Sequence, residues 1–285
     1  MRVEMSRTNP GQPTSGQPAP RQPASGQGRN DRGASANRII LIVGLSLVVI
    51  VTVVGLIFAL NFRGGPVDQN ADLAAGSRVA VDIPNAALSF RASNDDQVHV
   101  TMRGTYFGST PTLKTRTSGE ITTVSGGCSA RWFSFCSLDV TIALPAQLPL
   151  IATGTNGAMM ASGLTGELRL ATTNGRIETD GTKGAIELRT TNGAIRVRGA
   201  ASAKVTATTT NGSVELTFLE PPDDVVARST NGSVTVRVPV DGVGYFVKAQ
   251  TTNGTTNTDS VPGDGGFDRT IDVETTNGSV SVLPN

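Results

Sequence analysis

The sequence predicts an all-β fold: a β-solenoid of stacked two-strand repeats of 18–24 residues, preceded by a disordered tail and one transmembrane helix. Three observations predict it. An Asn-Gly pair recurs seven times, with successive spacings of 18, 18, 19, 20, 22 and 24 residues, and periods near 20 residues mark stacked architectures. Apolar residues recur at fixed offsets from each pair with the period-two alternation of strands. One uninterrupted apolar run of helix length occupies residues 39–62.

Residues 1–37 are rich in Pro, Gly, Gln and Ser, with a five-residue period through Gly11-Gln12-Pro13, Gly16-Gln17-Pro18 and Arg21-Gln22-Pro23. Such a segment buries too little apolar area to offset its ordering entropy, so a disordered cytoplasmic tail is expected. Pro20-Arg21-Gln22-Pro23 matches a PxxP ligand. A solvated spacer is the plainer reading.

Residues 38–62 are expected to form a transmembrane helix. At ~1.5 Å per residue the run IILIVGLSLVVIVTVVGLIFALNF is long enough for a ~30 Å hydrocarbon layer, no charge interrupts it, and Ser46 and Thr52 can return their hydroxyls to the backbone. The run is too long for a cleaved signal and no A-x-A pattern closes it, which favours a retained signal-anchor over a removed peptide. Arg21, Arg29, Arg32 and Arg38 precede the run, whereas Arg63 is soon followed by Asp68 and Asp72. The positive-inside bias then puts the N-terminus in the cytoplasm and the C-terminal domain outside the plasma membrane. Residues 63–75 read as a linker and residues 76–285 as one extracytoplasmic domain.

The repeats carry most of the information. Thr precedes every one of Asn156, Asn174, Asn192, Asn211, Asn231, Asn253 and Asn277. Six residues before the Asn stand Leu150, Leu168, Ile186, Val205, Val225, Val247 and Ile271; three after it stand Met159, Ile177, Ile195, Val214, Val234, Thr256 and Val280. Each repeat reads strand, Asn-Gly corner, strand, variable loop, with one apolar face. The Asn-Gly pair supplies a turn because both residues tolerate positive φ. The polar face fits a stack: Glu178, Arg196 and Glu215 alternate in sign, as do Asp180 with Arg198, Arg169 with Glu187, and Lys248 with Asp272. Asn-Gly is also a strong two-residue hairpin signal, so a meander or sandwich is the rival packing. The match between repeats, and not only within one, favours the solenoid.

Residues 76–150 lack Asn-Gly but keep strand alternation at Val98, Val100 and Met102 and at Leu138, Val140, Ile142 and Leu144. They read as leading strands and a cap, with a weaker motif relative at Ser118-Gly119-Glu120-Ile121. Cys128 and Cys136 have seven residues between them, and an even count outside the cytoplasm favours a disulfide over two reduced thiols. The segment they bracket holds Trp132, Phe133 and Phe135, which either cap the core or form a recognition patch. The variable loops lengthen toward the C-terminus, so Asp223, Asp224 and Asp264 join the three aromatics as candidate binding residues, with drift at a tolerant edge as the alternative.

The T-T-N-G units, the preceding Gly184-Ala185-Ile186-Glu187-Leu188 pattern and the strand Asp139–Pro145 resemble the bacterial putative-adhesin domain family over roughly residues 78–284. The resemblance implies a β-solenoid-like module, often attached to one transmembrane helix, with no catalytic residues to carry over.

Little in the sequence suggests chemistry. The net charge is +1 and there is one His and one Trp, so no global field favours nucleic acid. No glycine-rich loop opens a helix. A Ser-His-acid arrangement would have to use His99, which reads as a solvated strand residue. Asp95-Asp96 and Asp223-Asp224 sit in turn-like sequence. No cofactor or metal site is expected; the calcium repeat pattern is absent. The sequence therefore points to a membrane-anchored, cell-surface, adhesin-like binding or structural module without catalytic activity. Envelope polysaccharide or a protein partner is the expected ligand. An envelope-sensing protein is the alternative, and a β-helical polysaccharide enzyme a more remote one.

Overall fold

The computed structural model describes residues 32–61, 63–128, 135–258, 261 and 268–285. The expected tail disorder, Trp132, Phe133 and Asp264 lie outside these residues. The chain divides into two compact units, residues 1–56 and 57–285.

The helix α1 (Arg32–Asn61) starts six residues before the expected boundary, where Ala34, Ala36 and Arg38 are good helix formers. Its stretch Arg38–Ile57 is long and apolar enough to cross a membrane. Ser46 Oγ donates to the Ile42 carbonyl at 2.8 Å and Thr52 Oγ1 to that of Val48 at 2.6 Å, so neither hydroxyl is left without a partner in an apolar surround.

In the second unit the leading strands are β1 (Arg63–Ala74), β2 (Arg78–Asp82), β3 (Ala87–Ala92), β4 (Gln97–Gly108), β5 (Thr112–Ser118), β6 (Ile121–Gly127) and β7 (Phe135–Leu144). The repeats follow as β8 (Leu150–Thr153) and β9 (Met159–Ser162), β10 (Leu168–Asn174) and β11 (Ile177–Asp180), β12 (Ile186–Asn192) and β13 (Ile195–Ala200). Then come β14 (Lys204–Asn211) and β15 (Val214–Phe218), β16 (Asp224–Asn231) and β17 (Val234–Val238), β18 (Phe246–Asn253) and β19 (Thr256–Asn257), β20 (Thr270–Asn277) and β21 (Val280–Pro284).

The first strand of each repeat joins a ten-stranded sheet and the second an eleven-stranded sheet. The two strands flanking an Asn-Gly pair are therefore never hairpin partners. Each pairs in parallel with its equivalents in neighbouring coils, which excludes the meander and gives a solenoid. Ile177 lies opposite Ile195, and Ile195 opposite Val214. With Met159, Val234 and Val280 they form one column, every member at most 1% exposed. Opposite it stand Leu168, Ile186, Val205, Val225 and Ile271, also buried. Burying each such side chain contributes roughly 1.5–3 kcal/mol.

Four features depart from the sequence reading. The stretch expected as a linker is the edge strand β1, paired antiparallel along its length with β4. Val67 is buried and Leu73 packs on the core, while Asp68, Asn70 and Asp72 face out. The turn-like Gly64-Gly65-Pro66 hid this alternation, and Pro is tolerated there because the strand is an edge. Secondly, residues 76–150 do more than lead and cap. The pairs β6/β7 and β2/β3 are full coils, stacked in the spatial order β6/β7, β2/β3, β8/β9. The cap is the antiparallel set β4 and β1 on one sheet and β5 on the other. Thirdly, Ser118-Gly119-Glu120-Ile121 is not a coil corner but the two-residue hairpin between β5 and β6, with Gly119 at φ +57°.

Fourthly, sequence neighbours are not always neighbours in the stack. The coil β20/β21 lies between β16/β17 and β18/β19, so the coil earlier in sequence is the outermost. Tyr245, buried in the crossing loop, has the Arg269 guanidinium 5.7 Å from its ring centre, and Arg269 bonds Asp241 at 2.9 Å. The outermost coil has Val247 and Ala249 only partly buried and Thr256 exposed where the other coils have a buried apolar residue. A terminal repeat needs a polar outer surface, which accounts for the one repeat whose third position was not apolar.

Candidate functional site

The seven repeat asparagines, joined by Asn85, form a single exposed column along one edge of the stack. Each Nδ2 donates to the Oδ1 of the neighbouring Asn, from Asn156 to Asn85 at 2.7 Å and then at 2.8 Å through Asn174, Asn192, Asn211, Asn231, Asn277 and Asn253. Asn85 is a column member that sequence reasoning missed. Its coil lacks Gly, but Val79, Val81 and Leu88 stand at the same offsets as in the other coils, and that was a readable signal.

The glycine after the Asn has positive φ, as expected, at Gly157, Gly232 and Gly278, but in the middle coils it has a different reason. A Cβ on Gly175, Gly193 or Gly212 would collide with the carbonyl oxygen of Gly157, Gly175 or Gly193 one coil back. These three are not among the positive-φ glycines, so close backbone approach, and not turn conformation, fixes them. The carbonyl pointing at the next coil is satisfied by a side chain. Thr190, Thr209, Ser229, Thr275 and Thr251 donate to the carbonyls of Gly175, Gly193, Gly212, Gly232 and Gly278 at 2.8–2.9 Å. These residues stand two before the Asn and are largely buried. The Thr directly before the Asn, such as Thr173, Thr191 and Thr210, is exposed and forms a second polar row beside the amides.

At one end the column meets the disulfide Cys128–Cys136. The register of β6 on β2 sets Val79 beside Thr122, so Cys128 occupies the level of Asn85. A disulfide thus closes the corner that an Asn-Gly pair closes elsewhere. Beside it lies an open depression of about 540 Å³ lined by Asn85, Cys128, Phe135, Asp139 and Asn156 among others. Phe135 is 72% exposed on the outer face of β7, directly across from the half-exposed Phe107 of β4. Phe107 was missed because it follows the buried Val98, Val100, Met102 alternation at the opposite parity.

Asp223 and Asp224 are not brought together with Phe135. Asp224 starts β16 at the loop edge, where it pairs with Lys204 at 3.2 Å and accepts from Thr270. Asp223 precedes it. From β16 to β6 the sheet order gives six inter-strand steps, roughly 30 Å.

The outer faces carry the expected charge ladders. Arg196 reaches Glu178 at 3.5 Å and Glu215 at 2.9 Å, Arg169 reaches Glu187 at 3.4 Å, and Lys248 reaches Asp272 at 3.8 Å. Arg198 turns to Glu178 at 3.5 Å. Arg228 bonds Asp272 at 2.7 Å and Glu274 at 3.4 Å, both on the inserted coil.

His99 is more constrained than a solvated strand residue. Its Nδ1 lies 2.6 Å from Asp72 of β1 and its Nε2 3.0 Å from Asp95. The Asp72 hydrogen bond, then that of Asp95, raises its pKa above the usual 6.5. Asp95 is held below its ordinary value by hydrogen bonds from Ser93 and His99 and from the backbone of Gln97. With both ring nitrogens facing carboxylates, neither is placed to deprotonate a nucleophile. The pair ties β1 to β4, as does Arg103 to Asp68 at 3.3 Å.

Residues 150–283 match the family model described as Toastrack DUF4097. Among solved structures, the chain is similar to a putative adhesin from Bacteroides fragilis (11% identity, 77% of this chain and 97% of that chain, TM-score 0.47). It is also similar to a putative adhesin from Parabacteroides distasonis (10%, 77% and 98%, TM-score 0.45). A third is a putative cell adhesion protein from Clostridium sporogenes (10%, 78% and 100%, TM-score 0.36). No curated protein matches the chain.

Proposed function

We propose that this chain is a membrane-anchored, non-catalytic adhesin-like module, held in the plasma membrane by α1 with its repeat domain outside. The observation that carries the reading is the column of Asn amides beside its exposed Thr row. It is a fixed series of donors and acceptors at inter-strand spacing, ~4.8 Å, whose geometry is set by the buried columns behind it. A preorganised polar ladder suits the hydroxyls of a repeating polymer, because little side-chain entropy remains to be lost on contact. Envelope polysaccharide is therefore the first ligand class, and an extended envelope protein the second. The non-catalytic reading is supported by the spending of charge. On the repeat faces Arg169, Glu187, Glu178, Arg196, Glu215, Arg228 and Asp272 lie in ion pairs, the interior among the described residues is apolar apart from Thr, Ser and Tyr245, and His99 is occupied on both nitrogens.

The test is retention of the full chain, in detergent, on immobilised envelope polysaccharide and on envelope protein fractions. Thr173→Lys, Thr191→Lys and Thr210→Lys together place three long cations over the column without touching the core. Retention that falls at least about ten-fold, ~1.4 kcal/mol, with an unchanged melting temperature is the expected result. Wild-type chain retained by neither fraction would refute the reading.

A further inference from the structure

We propose that the depression at the disulfide end of the asparagine column is a saccharide subsite, which takes a neutral pyranose unit stacked on Phe135 and hydrogen-bonded by Asn85 and Asp139. The inference deepens the polysaccharide reading and rests on it: the ladder runs along the polymer, and the depression takes one of its sugar units.

The depression exists because β7 outruns its neighbour. Asp139 is the first β7 residue paired with β3, where it meets Ala87, and among the described residues Phe135–Leu138 pair with β4 alone. This overhang leaves a notch between β7 and the corner at Asn85. Its volume of about 540 Å³ lies within the range of small-molecule sites, ~300–1,000 Å³. Ala86, Ala87 and Gly157 line it with little bulk. Phe135, Ser137 and Asp139 stand at alternate positions of β7, all exposed on its outer face. A ring, a hydroxyl and a carboxylate thus follow one another over four residue steps, about 13 Å, long enough for a disaccharide.

The column supplies the donor. Every Asn passes an Nδ2 hydrogen to the Oδ1 of its neighbour in the same direction, so the amides form one chain that ends at Asn85. Hydrogen bonds in such a chain polarise one another, which strengthens the terminal donor. Asn85 accepts from Asn156 at 2.7 Å, and its own Nδ2 has no acceptor among the described residues. The next place in the column is held by Cys128, whose bridged sulfur is a weak acceptor. Asn85 is also half-buried where Asn174, Asn192 and Asn211 are exposed, so solvent serves its amide less well. A pyranose complements these groups together. Its hydroxyl oxygens accept from the amide, its hydroxyl protons go to Asp139, and its polarised C–H bonds face the negative face of the Phe135 ring. Asp139 is the one charged residue lining the depression. A uronate is therefore repelled and a neutral sugar preferred.

The experiment titrates the full chain by calorimetry, in a zwitterionic detergent without a sugar headgroup. The probes are cellotetraose, mannotetraose, chitotetraose and the acidic tetragalacturonate. Phe135→Ala removes the ring, and Ala87→Leu fills the notch while keeping every polar group; should one variant fail to fold, the other decides. The expected result is a neutral tetramer bound by the wild type at least about ten-fold more tightly than by either variant, and about ten-fold more tightly than tetragalacturonate, with unchanged melting temperatures. The Thr173→Lys, Thr191→Lys and Thr210→Lys triple variant keeps this tetramer binding. Neutral tetramers bound alike by the wild type and both notch variants, or lost only in the triple variant, overturn the subsite and leave the polysaccharide reading intact. Retention on polysaccharide by a chain that binds no tetramer does the same. Tetragalacturonate bound as tightly as the neutral tetramers overturns the preference set by Asp139. A wild-type chain that binds neither tetramer nor polysaccharide overturns the subsite and the polysaccharide reading together.

Discussion

The repeat stack from β8 onward and the leading region from β1 to β7 solve the same problem with different materials. Both must hold coils at the same spacing around a narrow apolar core. In the stack each corner is an Asn-Gly pair: amides run along the edge, glycines let the backbones touch, and buried Thr or Ser hydroxyls satisfy the glycine carbonyls. In the leading region the corner beyond Asn85 is a disulfide, and β1 is strapped to β4 by carboxylates on His99 and Arg103. The stack is thus held by geometry that every coil shares, whereas the leading region is held by local bonds that solution conditions can alter.

The comparison can be broken most severely at the glycines. Gly193→Ala drives a methyl into the Gly175 carbonyl, whereas a Cβ on Gly65 of β1 meets nothing within 4 Å. The first should cost more than about 3 kcal/mol and the second well under 1 kcal/mol in chemical denaturation of the second unit. Equal effects would dismiss close approach as the reason for the repeat glycines. Next in size is the disulfide. Removing it with Cys128→Ser and Cys136→Ser should lower stability by about 2–3 kcal/mol. Reductant should reproduce the loss in the wild type and do nothing further to the variant.

The hydroxyl row offers an internal control. Thr209→Val leaves the Gly193 carbonyl without its donor and should cost about 1–3 kcal/mol. Thr172, whose hydroxyl has no protein partner among the described residues, should tolerate Val at little cost. A Thr172→Val loss as large as that of Thr209→Val would show that these hydroxyls act through packing alone.

The smallest effect is pH-dependent and confined to the strap. The His99 pKa is raised on folding, so its contribution is complete below the unfolded value of about 6.5. It is lost as pH rises through the higher folded value. Asp95 has the opposite sign: its contribution is present above its ordinary value and lost as pH falls through its depressed folded one. Amide exchange in β1 should accelerate as pH rises beyond the chemical exchange trend, and His99→Gln should remove that excess. An unchanged excess in the variant would assign the pH response to other groups.

Much of this was legible in the chain. The column of Ile177, Ile195 and Val214 and the charge alternation of Glu178, Arg196 and Glu215 followed from fixed offsets, because equivalent positions in a solenoid see equivalent neighbours, while the bridged cysteines followed from their even count. What stayed hidden had no local signature. Gly193 is a glycine whether a turn or a close contact requires it, so the residue type could not separate the two. The antiparallel strand β1 was masked by Gly64, Gly65 and Pro66, which signal a break in isolation and become harmless at an edge. The exchange of the last two coils left one trace, Thr256, which looked like a lapse in the pattern and marks the exposed end. Of the candidate site, the asparagines were visible as turn formers but their joining into one edge was not, since that depends on every coil being in register at once.

That exchange also bears on the order in which the stack can be completed. Residues 246–257 are translated before residues 270–284, yet the later segment occupies the inner place. Zippering from one end, coil upon coil in the sequence of synthesis, cannot produce this arrangement. Either β18 and β19 wait, unpaired, until β20 and β21 have joined β16 and β17, or a provisional pairing must part to admit them. The final closure therefore reports that residues through Pro284 have been made, and a nascent chain arrested before Thr270 would be left with a mismatched, protease-accessible end.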